Sequence, residues 1–128
     1  MIVALMIGCG SGSPPATPVV PTPAPTPTPT PGPAPPTVSI TSAGLNPREI
    51  EITVGSRVTF VNNDALPHDF SGGPDPTRPQ CVAEIDAVGF ITAGQTKQTG
   101  VFTTAQTCEY HDHARLGVVA FQGRITVR

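Results

Sequence analysis

Residues 54–68 read VGSRVTFVNNDALPH. Val58 and Phe60 alternate with polar neighbours, the period of a half-buried strand, and Gly55-Ser56 ahead of them supplies a turn. Working outward, the same period of two recurs in Val38 and Ile40, in Ile50, Ile52 and Val54, in Gln106 to Asp112 and in Arg124 to Arg128, and a further strand ends at Val101-Phe102. Ala43-Gly44-Leu45-Asn46-Pro47 and Ala93-Gly94-Gln95 punctuate these runs as turns. Ser71 to Pro79 is a Gly and Pro loop, and Cys81 to Gly89 an irregular crossing. No stretch shows helical periodicity. Roughly seven short strands with turns every ~8–12 residues predict an all-β Greek-key sandwich.

The domain so defined spans residues 38–128, roughly 90 residues, enough for one modest core. Ahead of it, residues 10–37 are dominated by Pro, Thr and Ala. Proline fixes φ and removes backbone donors, so this stretch predicts a disordered tether, whose residues 14–37 reach on the order of 70 Å in polyproline II geometry. Residues 1–9, MIVALMIGC, are an apolar run ending in Cys9 and followed by Gly10-Ser11-Gly12-Ser13. That is similar to the end of a bacterial lipoprotein signal, in which the cysteine is lipidated. The run is too short to span a bilayer, which takes roughly 20 apolar residues. Anchor, spacer and small domain together predict an exported lipoprotein, periplasmic or at the cell surface, held to the membrane through Cys9.

Charge excludes one class of partner. The net charge is −2, and the seven Lys and Arg are scattered from Arg48 onward with no basic stripe, so nucleic acid is not expected. Catalysis is not expected either, because no Ser-His-Asp order, phosphate loop or close carboxylate pair is present. The chemistry lies instead in three histidines: His68 at the end of the opening stretch, and His111 and His113 in Thr107-Cys108-Glu109-Tyr110-His111-Asp112-His113. Three imidazoles from two separated segments suggest a metal site.

The order of motifs resembles the cupredoxin family, small copper domains of the plastocyanin and azurin type. The resemblance covers roughly residues 38–128. It rests on Leu45-Asn46-Pro47 before a strand, Val54 to Asp64 leading into Pro67-His68, Ala93-Gly94-Gln95 with Phe102, and Gly123-Arg124-Ile125-Thr126-Val127. It implies that His68 is the first copper ligand and that the others come from the loop between the last two strands, where His111 and His113 lie. The sequence departs from the family at the thiolate. Blue copper proteins carry a cysteine about ten residues after the phenylalanine that closes the preceding strand, and counting from Phe102 reaches Asp112; Cys108 comes four residues earlier. Phe121 stands where an axial methionine is usual.

The expected centre is therefore one copper ion on His68, His111 and His113, with Asp69 and Asp112 orienting imidazole N–H groups or, for Asp112, completing the shell. Without a thiolate this would be a pale type 2 site, with zinc as competitor. An alternative is a blue copper site of Cys108, His68 and His111, favoured by the Cys-x-x-His spacing. Of the three cysteines, Cys9 is assigned to lipid, leaving Cys81 and Cys108, which an oxidising compartment would pair. Two functions stay open. One is a copper module for electron transfer or copper handling, working with a redox partner or a copper donor or acceptor; the other is a metal-free structural or adhesive surface domain.

Overall fold

The structure, a computed structural model, describes residues 8–28, 30, 32, 34–73 and 81–128. Most of the expected signal remnant, residues 1–7, lies outside them, as do residues 74–80, which include most of the Gly and Pro loop. The chain divides into an N-terminal unit ending at Thr30 and a second unit running to Arg128. The described residues of the first carry neither helix nor strand.

Among the described residues the second unit holds nine strands: β1 Thr37–Thr41, β2 Gly44–Asn46, β3 Glu49–Ile52, β4 Thr59–Asn62, β5 His68–Gly72, β6 Gly89–Ile91, β7 Thr96–Gln98, β8 Gln106–Asp112 and β9 Gln122–Val127. They form two sheets, ordered β2-β1-β4-β7 and β3-β9-β8-β5-β6. β1 runs parallel to β4, and β3 parallel to β9. Strands distant in sequence thus become neighbours as the chain passes from one sheet to the other, which is the Greek-key sandwich.

Alternation decides what each sheet buries. In β1, Val38 and Ile40 are buried, and in β8 so are Cys108, Tyr110 and Asp112, while Glu109 is exposed and His111 half-buried. Phe60, Phe70 and Tyr110 meet between the sheets with ring centroids 5.3, 5.4 and 6.1 Å apart, contacts worth about 0.5–1.5 kcal/mol each beyond their buried area. Gly123 lies opposite Tyr110 in the ladder, and a Cβ there would run into the Tyr110 ring. The aromatic fills the space that glycine leaves.

Three expectations change. The Ala43–Pro47 turn contains the short strand β2, paired with β1 through Ile40 and Leu45. The strand expected to end at Phe102 stops at Gln98; Phe102 is still fully buried, held as its N–H donates to Ser56 O at 3.0 Å. The crossing after Cys81 contains a short helix, α1, Val82–Asp86. Five residues are too few to show a 3.6-residue period, and α1 is secured by tertiary contacts instead. Ile85 is fully buried, and the Asp86 carboxylate accepts from Ser71 Oγ at 3.0 Å and from Gly72 N–H at 3.1 Å.

Candidate metal centre

β5 and β8 are antiparallel neighbours with Phe70 opposite Asp112 and Ser71 opposite His111. Residues two apart share a face, so His68 and Phe70 on β5 and Tyr110 and Asp112 on β8 point into the core. His111 points to the other side of the sheet. The register brings His68 to Asp112, 44 positions away, with Nδ1 2.6 Å from Oδ2. Both side chains are fully buried.

The other nitrogen of His68 is also engaged. Nε2 lies 3.2 Å from Asp64 Oδ2, and the Asp64 side chain is 7% exposed. Asn62 shapes the loop that carries Asp64: its Nδ2 donates to Leu66 O at 2.8 Å and to Ile91 O at 3.1 Å, while its Oδ1 accepts from Asp64 N–H at 2.9 Å. A buried asparagine that folds its own loop in this way leaves no periodic signal. The His68 ring stacks on Phe121 at 5.3 Å and on Phe70 at 6.2 Å, so phenyl groups contact the ring where its edges do not meet carboxylate.

Asp112 does a second job. Its Oδ1 accepts from Asp69 N–H and from Ala114 N–H, both at 2.9 Å, the latter capping the 3₁₀ turn His113–Arg115. Asp69 thus contributes its backbone donor rather than its carboxylate, because it follows His68 on the strand and points to the opposite face. Asp64 is the second acceptor for the imidazole.

The three histidines do not gather. Among the described residues no three His, Cys, Asp or Glu groups are placed to hold a metal ion together. With both nitrogens of His68 against carboxylates, the His68 end does not fit the expected three-imidazole copper site. His111 and His113 do come together, with ring centroids 4.8 Å apart and planes tilted by 47°. Both are half-buried. His111 also borders a cavity of about 360 Å³ whose wall carries Arg48 and Arg124 alongside Glu49 and Glu109.

Cys81 and Cys108 are joined in a disulfide, and Cys108 is fully buried. The alternative site needs Cys108 as a thiolate, and the disulfide removes it from that role. Cys9 is exposed and unpaired among the described residues. Beside Asp112, burial pushes the Tyr110 phenol well above its ordinary value near 10, an effect the Arg48 guanidinium partly offsets. Its Oη has no hydrogen-bond partner among the described residues.

No family model matches the chain, and no curated protein matches it. Solved structures do. A purple cupredoxin from Nitrosopumilus maritimus aligns at TM-score 0.59 and 20% identity, over 73% of this chain and 99% of that one. A Cu(I) amicyanin variant aligns at TM-score 0.54 and 22% identity, over 73% of this chain and 82% of that one. A second Cu(I) amicyanin variant gives 0.55 and 21%, over 76% and 85%. The two-sheet sandwich is therefore cupredoxin-like in fold.

Proposed function

We propose that this chain is a copper-binding module for copper handling, with the ion held by His111 and His113 on the outer face of the five-stranded sheet. The observation that carries this reading is the 4.8 Å separation of the two rings. At that separation each ring could turn one nitrogen toward a shared ion, imidazole being a donor that copper and zinc accept. The cupredoxin-like fold and the copper named for the amicyanin neighbours support the choice of metal. So does the ligand chemistry, since imidazole donors hold Cu(II) more tightly than Zn(II).

Bound there, copper would supply a Lewis-acidic or one-electron centre, and the protein's share is orientation. β8 is hydrogen-bonded on both sides, by β5 and β9, which fixes His111, and the capped turn fixes His113. The full reading places the module outside the cytoplasm, anchored through lipidated Cys9, with a copper donor or acceptor as partner.

Titration of the full chain with Cu(II), followed by EPR, tests this. One equivalent with the hyperfine pattern of two nitrogens is expected, lost in His111→Ala/His113→Ala. Unchanged binding in that double variant would overturn the assignment. A second reading, a metal-free surface domain, is favoured by the closed contact between His68 and Asp112; it predicts no copper equivalent at all. Separately, Cys9→Ala should release the protein from the membrane fraction.

A further inference from the structure

The position that the family resemblance gives to the first copper ligand is occupied in an unusual way. A metal ligand must offer a lone pair, yet each His68 nitrogen faces a carboxylate oxygen, at 2.6 Å and 3.2 Å. Carboxylates only accept, so both contacts are satisfied when the ring donates from both nitrogens. Asp112 is then tied on one oxygen to His68 and on the other to two backbone N–H groups, Asp69 and Ala114. One of those groups lies immediately after His113. The carboxylate is thus a joint between the core and the segment that carries the paired imidazoles.

We infer that His68 is not a metal ligand in this protein but a positioning residue: through Asp112 it sets the turn that holds His113 against His111. This rests on the copper reading of the His111 and His113 pair, and it reassigns the residue that the fold would otherwise nominate first. The geometry has three linked parts. Asp64, placed by Asn62, orients the His68 ring from Nε2. The ring holds Asp112 Oδ2 and so fixes the rotation of the carboxylate. Asp112 Oδ1 then caps the turn at Ala114 N–H, which sets the backbone of His113, whose ring lies 4.8 Å from that of His111. Each link is a contact to a fully or nearly fully buried group, so a change at His68 would be transmitted rather than absorbed by solvent.

Two measurements on the full chain test the inference. The first is ¹⁵N NMR of the His68 ring at neutral pH with and without Zn(II), a diamagnetic probe. His68 ring signals unchanged by Zn(II) while the His111 and His113 signals move are expected. A His68 nitrogen that shifts to a metal-bound position overturns the inference. The second is Cu(II) affinity with EPR for Asp112→Asn, Asp112→Ala and His68→Gln. Asn keeps an oxygen to cap Ala114 but replaces the Oδ2 acceptor of His68 with an amide NH2, so it should bind more weakly than the unaltered protein and more tightly than Asp112→Ala. Asp112→Ala should bind about tenfold more weakly or worse, as loss of groups that orient ligands commonly does, with the two-nitrogen pattern reduced to one. His68→Gln, which leaves the cap oxygen in place but frees its rotation, should fall between the unaltered protein and Asp112→Ala and serves if Asp112→Ala does not fold. Unaltered affinity and a two-nitrogen pattern in His68→Gln overturn the positioning role. If His111→Ala/His113→Ala leaves copper binding intact, the copper reading fails, and with it the positioning role. Zn(II)-insensitive His68 signals would then still exclude it as a ligand.

Discussion

His68 Nδ1 stands 2.6 Å from Asp112 Oδ2, joining β5 to the end of β8 inside the core. Both groups are fully buried, and in the interior a charged or polar group without its partner costs far more than the pair contributes. The contact therefore sets the tolerance of this end of the sandwich to substitution.

Asp112→Ala removes the acceptor from His68 and from the Asp69 and Ala114 N–H groups at once. Breaking a buried pair from one side costs about 3–5 kcal/mol. Asp64→Ala loses only the longer, 3.2 Å contact to the ring and should cost nearer ~1 kcal/mol. Urea unfolding of the two variants checks the order; equal losses would show that Asp112 is not the joint described.

The Cys81–Cys108 disulfide closes a separation of 27 residues and ties α1 to β8. Chain-entropy models give about 3–4 kcal/mol for such a loop. Cys81→Ser/Cys108→Ser should lower stability by about that amount, read from denaturant midpoints with unchanged slope. Non-reducing mass spectrometry of the full chain should show the pair oxidised; two free thiols there would exclude the bond.

Burial holds the Tyr110 phenol neutral well above the pH at which an exposed tyrosine ionises. Because the folded state retains this proton more tightly than the unfolded state, its contribution is fully present below about pH 10 and is lost as pH rises beyond it. Stability should decline above ~pH 10 with a one-proton slope at this site, and Tyr110→Phe should remove that component. Since Oη has no partner among the described residues, the same variant should be neutral or stabilising at pH 7. A marked loss there would reveal a hydrogen bond.

Gly123 lies beneath the Tyr110 ring, where a Cβ would collide with ring atoms. Gly123→Ala forces the ring or the β8–β9 ladder to shift, with overpacking costs of about 1–3 kcal/mol. Gly123→Ala combined with Tyr110→Leu should recover part of the loss. Additive losses in the double-mutant cycle would separate the two positions.

Period-two alternation determined much of this protein from sequence alone. β1, β3, β4 and β8 fall where the apolar repeats put them, since which side chains share a face depends only on neighbouring residues in one strand. For the same reason the opposition of His111 to Asp112 is legible in the chain itself, and the two cysteines left by Cys9 could be paired by parity. Tertiary structure alone decided the rest. The meeting of His68 with Asp112 depends on the register of two strands 44 residues apart, which no local repeat encodes. The choice of Asp64 over Asp69 depends on a loop folded by Asn62 through bonds to Leu66 and Ile91. The helix α1 is too short to announce itself and exists because Ile85 and Asp86 find partners on the sandwich. Sequence thus specified which faces are apolar, whereas the placing of polar groups against one another waited on long-range packing, because a hydrogen bond needs its partner at about 3 Å and burial pattern carries no such precision.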